Sequence, residues 1–160
     1  MSVAFTKEES AETAAETLLP ERPISPHPNL VTEAGLKALE RQMEEARAAY
    51  AAVEDIDDVN EKRRQTAGPL RDIRYLAERL RTAQVIPAPA STDVVAFGSL
   101  VTFERDDGRV QTYRIVGEDE ADPKAGTISY VSPVARMLSG KAVGDVVSLG
   151  GQELEIRKIG

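Results

Sequence analysis

The chain contains no cysteine and no tryptophan, and its one histidine, His27, lies between Pro26 and Pro28. Disulfides, thiolate metal sites and Cys-His or Ser-His nucleophile systems are therefore excluded. No run of eighteen apolar residues occurs, so a membrane-spanning helix and a membrane partner are not expected. The opening MSVAFTKEESAETAAETLLPE is acidic where a secretory leader would be basic and then apolar, which points to a cytoplasmic location. Positive charge is in deficit: 20 Lys and Arg stand against 27 Asp and Glu, a net charge of -7. Duplex nucleic acid demands concentrated cations, so autonomous binding to it is disfavoured, and basic protein surfaces or metal ions are the natural partners. At 160 residues the chain accommodates one ordinary domain, or a small globular domain plus an extended element.

What is present divides into four stretches. Residues 1–29 combine acidic and small residues with the proline-rich PERPISPHPN, a composition that buries too little apolar area to offset chain entropy. They read as a disordered acidic, Pro-rich arm, a linker or solubility tail in the simplest case, with docking of Phe5 or Ile24 on a partner as the alternative. Over 30–86 a helical hairpin is predicted. Thr32 is placed to cap a helix in which Leu36, Leu39, Met43, Ala46, Tyr50 and Val53 recur at spacings of three and four, a heptad seam. Ile73, Leu76, Leu80 and Ala83 repeat that spacing, so the partner helix is expected in the same chain, antiparallel to the first. Gly68-Pro69 should kink or restart the second arm near Leu70. Pro87 and Pro89 mark a linker over 87–92.

From 93 to 160 the pattern changes to strands. Alternation over 100–103 and 111–115 flanks an Asp107-Gly108 corner, the signature of a hairpin. Strands are also expected over 127–131, 146–149 and 154–159, with a short helix from Pro133 to Leu138 capped by Ser132. The fold class is thus α+β, a helical hairpin followed by a mostly antiparallel sheet.

The runs VVAFGSLVTFERDDGRVQTYRIVGEDEAD and ISYVSPVARMLSGKAVGDVV, with SPVAR at 132–136 and the Gly140-Lys141 and Gly144-Asp145 turn, occur in an order that resembles the C-terminal domain of the GreA/GreB transcript cleavage factors. The resemblance implies an FKBP-like sheet domain and an accessory protein, not an enzyme, that acts on bacterial RNA polymerase. It further implies that the hairpin enters the polymerase secondary channel, and that tip carboxylates help hold a second magnesium ion shared with the polymerase active site. Magnesium takes hard oxygen ligands and often only one or two protein carboxylates, so a protein supplying only a tip suffices.

The tip, EDIDDVNE at 54–61, places Asp55 and Asp58 as the catalytic and metal-holding candidates, with Glu54, Asp57 and Glu61 beside them. Asp58 stands where the family carries Glu, one methylene longer. It is also followed three residues later by Glu61, the spacing of a capping box. Set against the family, the hairpin is shorter by roughly fourteen residues, which if shared between the arms would retract the tip by about 10 Å. Cleavage stimulation and channel occupancy without cleavage therefore both stay open. Lys62, Arg63, Arg64, Arg71 and Arg74 could contact an RNA 3′ segment or acidic walls, or form only a solvated face. For polymerase binding the resemblance points to Ser132, Pro133, Val134, Ala135 and Arg136, and the acidic loop adds Asp119, Glu120 and Asp122. Capping by Ser132 and core packing by Val134 and Leu138 are the structural alternatives. A proline-peptide isomerase, suggested by the implied fold alone, is disfavoured because only Phe97, Phe103, Tyr113 and Tyr130 could line its pocket. A dimerising adaptor is the third class. The hairpin role needs a free tip, and a monomer is expected.

Overall fold

A computed structural model describes residues 19–160. Phe5 and the rest of 1–18 lie outside the described residues. The described chain divides into two compact units, one formed by 19–26 with Leu39–Arg81 and the other by His27–Ala38 with Thr82–Gly160.

The first unit is built on α1 (Glu33–Val53) and α2 (Val59–Thr82), joined by 54–58 as an antiparallel hairpin. The middle of the seam is buried, with Leu39, Met43 and Ala46 of α1 and Leu76 of α2, while Leu36, Tyr50, Val53, Ile73, Leu80 and Ala83 are only half-buried and the intervening charged residues of α1 face water. One charged side chain breaks the pattern, since Arg79 is only 2% exposed. The expected restart near Leu70 does not occur: α2 runs continuously through Pro69. Proline removes a backbone donor at a cost of about 3 kcal/mol, and buried groups on both sides of it, Thr66 and Leu76, keep the helix in register. The Thr66 hydroxyl donates to the Lys62 carbonyl at 2.7 Å, one turn before the proline.

Two residues assigned above to a disordered arm are held against α2. Glu21 pairs with Arg74 at 2.7 Å and Arg22 pairs with Asp72 at 3.2 Å. The Arg22 guanidinium also lies 3.8 Å from the centre of the Tyr75 ring. The Arg74 hydrogen bond holds the Glu21 carboxyl below its usual range, and the charge of Arg71 adds to this. A carboxyl depressed in the folded state contributes above its unfolded pKa of about 4.3 and loses that contribution as pH falls through the lower folded value. Glu21 is therefore expected to detach from Arg74 as pH falls well below the ordinary carboxylate range, and also in about 1 M salt, where screening shortens to about 3 Å. NMR shifts of the two side chains measure it; a pairing unchanged under both conditions would refute it.

The second unit begins with β1 (Leu30–Val31), which pairs in parallel with β2 (Gln84–Val85), and it includes the first turn of α1. Its main sheet contains β3 (Leu100–Arg105), β4 (Val110–Val116), β5 (Thr127–Ser129), β6 (Val146–Leu149) and β7 (Gln152–Ile159) in the order β5-β4-β3-β7-β6. The β3-β4 corner is Asp107-Gly108, where Gly108 takes φ +87°, open to glycine without strain. All pairs in this sheet are antiparallel except β4-β5, which is parallel. Two 3-10 turns (Glu118–Glu120 and Pro123–Ala125) fill that connection, giving the chain room to return in the same direction. The core gathers Val101, Phe103, Ile115, Ile128, Val147, Leu154, Ile156 and Ile159, and α3 (Pro133–Leu138) adds Ala135 and Leu138. On β7 the buried set steps from Leu154 and Ile156 to Ile159 because the register against β3 shifts between Thr102 and Phe103, leaving Arg157 as the extra residue.

Among the described residues no helix is long and apolar enough to cross a membrane.

Candidate functional site

The hairpin tip concentrates four acids in five residues, Glu54, Asp55, Asp57 and Asp58, around the half-buried Ile56. Glu54 and Asp55 directly follow the C-terminus of α1, where the helix dipole is negative and no basic residue occupies the last turn. Local stability opposes carboxylates there. Asp58 is different: its Oδ1 accepts from the Glu61 amide at 2.8 Å, and its carbonyl accepts from Lys62 at 2.8 Å, so it caps α2. The reciprocal half of the capping box is replaced, because Glu61 turns along the helix to Arg64 at 2.6 Å and Gln65 at 2.9 Å. Those i,i+3 and i,i+4 partners lie on its own face and compete for its carboxylate.

Glu54, Asp55 and Asp57 line an open cleft of about 580 Å³ together with Lys62, Arg63 and Thr66. Arg64 is occupied by Glu61, whereas Lys62 and Arg63 supply cations to the cleft. Among the described residues no three His, Cys, Asp or Glu side chains come together as a self-contained metal centre. The donor set still suits magnesium, which accepts one or two protein carboxylates beside water and phosphate oxygens. Asp55 is a candidate ligand with both oxygens uncommitted among the described residues, and Asp58 one with a single oxygen already used.

The SPVAR box divides by orientation. Ser132 caps α3 by accepting from the Ala135 amide at 3.3 Å, and Ala135 is buried in the sheet core. Val134 packs against that core, while Pro133 and Arg136 are exposed. Arg136 approaches His27 Nε2 at 3.5 Å. Sequence pattern did not bring His27 to this helix, and a lone histidine between prolines carried no signal for it.

The acidic loop divides as well. Asp122 is exposed and caps the second 3-10 turn through the Lys124 amide at 3.2 Å; Asp119 is half-buried. Glu120 is directed inward: its Oε2 accepts from the amides of Thr32 at 3.0 Å and Gly117 at 3.1 Å, and its Oε1 accepts from the Thr32 hydroxyl. Thr32 Oγ1 in turn accepts from the Gly35 amide at 3.0 Å, the helix cap expected of it. Gly35 and Gly117, small residues where a side chain would have been ordinary, were the sequence signal for this packing.

A hairpin with an acid-rich tip, followed by a mixed sheet carrying a capped SPVAR helix, has the organisation of an elongation factor of the Gre type. The family profile described as "Transcription elongation factor, GreA/GreB, C-term" matches residues 90–159. The transcription elongation factor GreA of Vibrio parahaemolyticus is 37% identical over 159 residues, spanning 95% of this chain and 92% of that protein. GreB of Neisseria meningitidis is 44% identical over 95 residues, 56% of this chain and a little over half, 58%, of its own length. Among solved structures, Thermus thermophilus Gfh1 aligns at 26% identity over 84% of this chain and 99% of that one, with a TM-score of 0.40. The chain belongs to the GreA/GreB family of transcription elongation factors. As such it is an accessory factor, not an enzyme in its own right.

Proposed function

We propose that this protein binds RNA polymerase, enters its secondary channel with the α1-α2 hairpin and there modulates cleavage of backtracked RNA. The observation that carries this reading is the placement of Glu54 and Asp55 beyond the C-terminus of α1, where neither capping nor pairing among the described residues accounts for them. Carboxylates at a helix C-terminus cost roughly 0.3–1 kcal/mol each, a cost that use of the tip explains. Pro133 and Arg136 are the exposed anchors for the polymerase, consistent with the enrichment of arginine at interfaces. Lys62 and Arg63 line the tip cleft, and their charge would suit the phosphates of an RNA 3′ segment presented by the polymerase.

Occupancy without cleavage is the favoured mode, because Asp58 is tied to the start of α2 and is one methylene shorter than the family's Glu. Ligand geometry lost by an ångström removes most catalytic help. The second reading, support of cleavage through magnesium, rests on Asp55 and Asp57 at the open cleft.

RNA 3′-end cleavage in defined backtracked complexes tests both, with an active cleavage factor as competitor. The informative variants are Asp55→Asn and Asp58→Asn, since asparagine caps about as well as aspartate and removes only charge. Wild type is expected to block the competitor without cleaving. Cleavage that Asp55→Asn abolishes would establish the second reading, and neither cleavage nor competition would refute channel entry.

A further inference from the structure

Glu120 lies in an acidic loop, yet its carboxylate is spent inside the protein. It joins the 3-10 turn after β4 to residues 88 positions earlier in the chain. Two backbone amides and one hydroxyl converge on it, and the hydroxyl it engages is the one that caps α1 at Gly35. The site is built around that carboxylate. A methyl group at Gly35 would come within 2.1 Å of Glu120 Cδ, and one at Gly117 within 2.2 Å of the Leu30 carbonyl oxygen. The peptide carbonyl of Glu120 is used too, accepting from Thr127 Oγ1 at 3.2 Å. A carboxylate with three internal donors has little capacity left for a basic partner surface.

We infer that Glu120 is a positioning residue: a latch that holds the first turn of α1, the helix leading to the acidic tip, on the sheet unit. It is not a polymerase-contacting acid. This rests on the proposed role of the hairpin at the polymerase. The latch requires acceptor geometry more than charge. In Glu120→Gln the amide oxygen can accept from Thr32 and Gly117, while the amide nitrogen donates to the Thr32 hydroxyl, which can turn to receive it. Glu120→Ala leaves all three donors without that acceptor.

The test compares wild type, E120Q and E120A in two measurements on the full chain. The first is amide hydrogen exchange at Thr32, Gly35 and Gly117, which needs no polymerase. E120A is expected to speed exchange there at least tenfold and E120Q less than threefold. The second is binding to RNA polymerase and the effect on backtracked complexes at saturating factor. E120A is expected to keep its Kd within threefold and lose at least fivefold of the saturating effect, with E120Q restoring it. Should E120A not fold, Thr32→Val, which removes the hydroxyl but keeps the amide, replaces it, with exchange read at Gly117 alone because that hydroxyl also caps Gly35 directly. Unchanged exchange in E120A overturns the latch. A Kd weakened equally by E120Q and E120A also overturns it, and marks Glu120 as a contact made through charge. If wild type has no effect on polymerase, the proposed function fails while exchange still decides the latch.

Discussion

Phe103→Ala is expected to cost about 3–5 kcal/mol of the stability of the sheet unit. Phe103 is fully buried on β3, the middle strand of five, with β4 on one side and β7 on the other. Its ring stacks on Tyr113 with centres 6.0 Å apart, so alanine removes both buried area and an aromatic contact. The neighbours are strands locked by ladder hydrogen bonds and cannot close the cavity without breaking register. A small domain holds only about 5–15 kcal/mol in total, so thermal unfolding should begin at least about 12 °C lower. Phe103→Leu, nearer in volume, should cost far less, below about 1.5 kcal/mol. Circular dichroism melts of both variants measure the difference. An alanine variant within about 1.5 kcal/mol of wild type would mean the core collapses around the vacancy. The functional consequence follows from position: α3 buries Ala135 and Leu138 in the same core, so its exposed Pro133 and Arg136 depend on Phe103 for their placement.

Much of this architecture is legible in the residues because it depends on local periodicity. The seam from Leu39 to Ala46 and the capped helix after Ser132 need only spacing and cap chemistry, and both form as spaced. The Asp107-Gly108 corner is equally local. What could not be read depends on partners distant in sequence. Nothing near Arg157 announces the register shift at Thr102/Phe103, which is set by how β7 meets β3. Strand direction is likewise invisible locally, hence the parallel β4-β5 pair. No local pattern announces the burial of Arg79, a charged residue between Leu76 and Leu80 that is only 2% exposed. Gly68-Pro69 suggested a break, because propensity weighs the lost hydrogen bond but not the packed seam that outweighs it. At the candidate site, the tip acids were legible as a cluster, while the separate task of Asp58 emerged only from the cap it makes. Glu120 looked like its neighbours Asp119 and Asp122 because the groups that claim it belong to Thr32 and Gly117.

Glycine-to-alanine changes at the latch reverse the usual sign of such substitutions. In a helix, alanine normally gains roughly 1 kcal/mol over glycine, so Gly35→Ala would ordinarily stabilise α1. Here the new methyl would stand 2.1–2.5 Å from the Glu120 carboxyl group, and that side chain must leave its three donors. Hydrogen bonds to a charged group contribute about 1.5–3 kcal/mol each, so losing even one of them outweighs the helix gain of roughly 1 kcal/mol, and a net loss of at least about 0.5–2 kcal/mol is expected. Gly117→Ala should be worse, about 2–4 kcal/mol, in the upper range for overpacking. Its backbone, at φ -71° and ψ 164°, suits any residue, so strain in conformation is not the cause. The obstacle is the Leu30 carbonyl at 2.2 Å, on a strand paired with β2 and unable to swing aside. The two sites separate in combination with Glu120→Ala. Removing the carboxylate should relieve Gly35→Ala entirely, so the double variant is as stable as E120A or about 1 kcal/mol better. Gly117→Ala should remain destabilising, because its clash is with backbone. Chemical denaturation of the three single and two double variants measures these couplings, and a Gly35→Ala loss that persists without Glu120 would show that the carboxylate is not what excludes a side chain there.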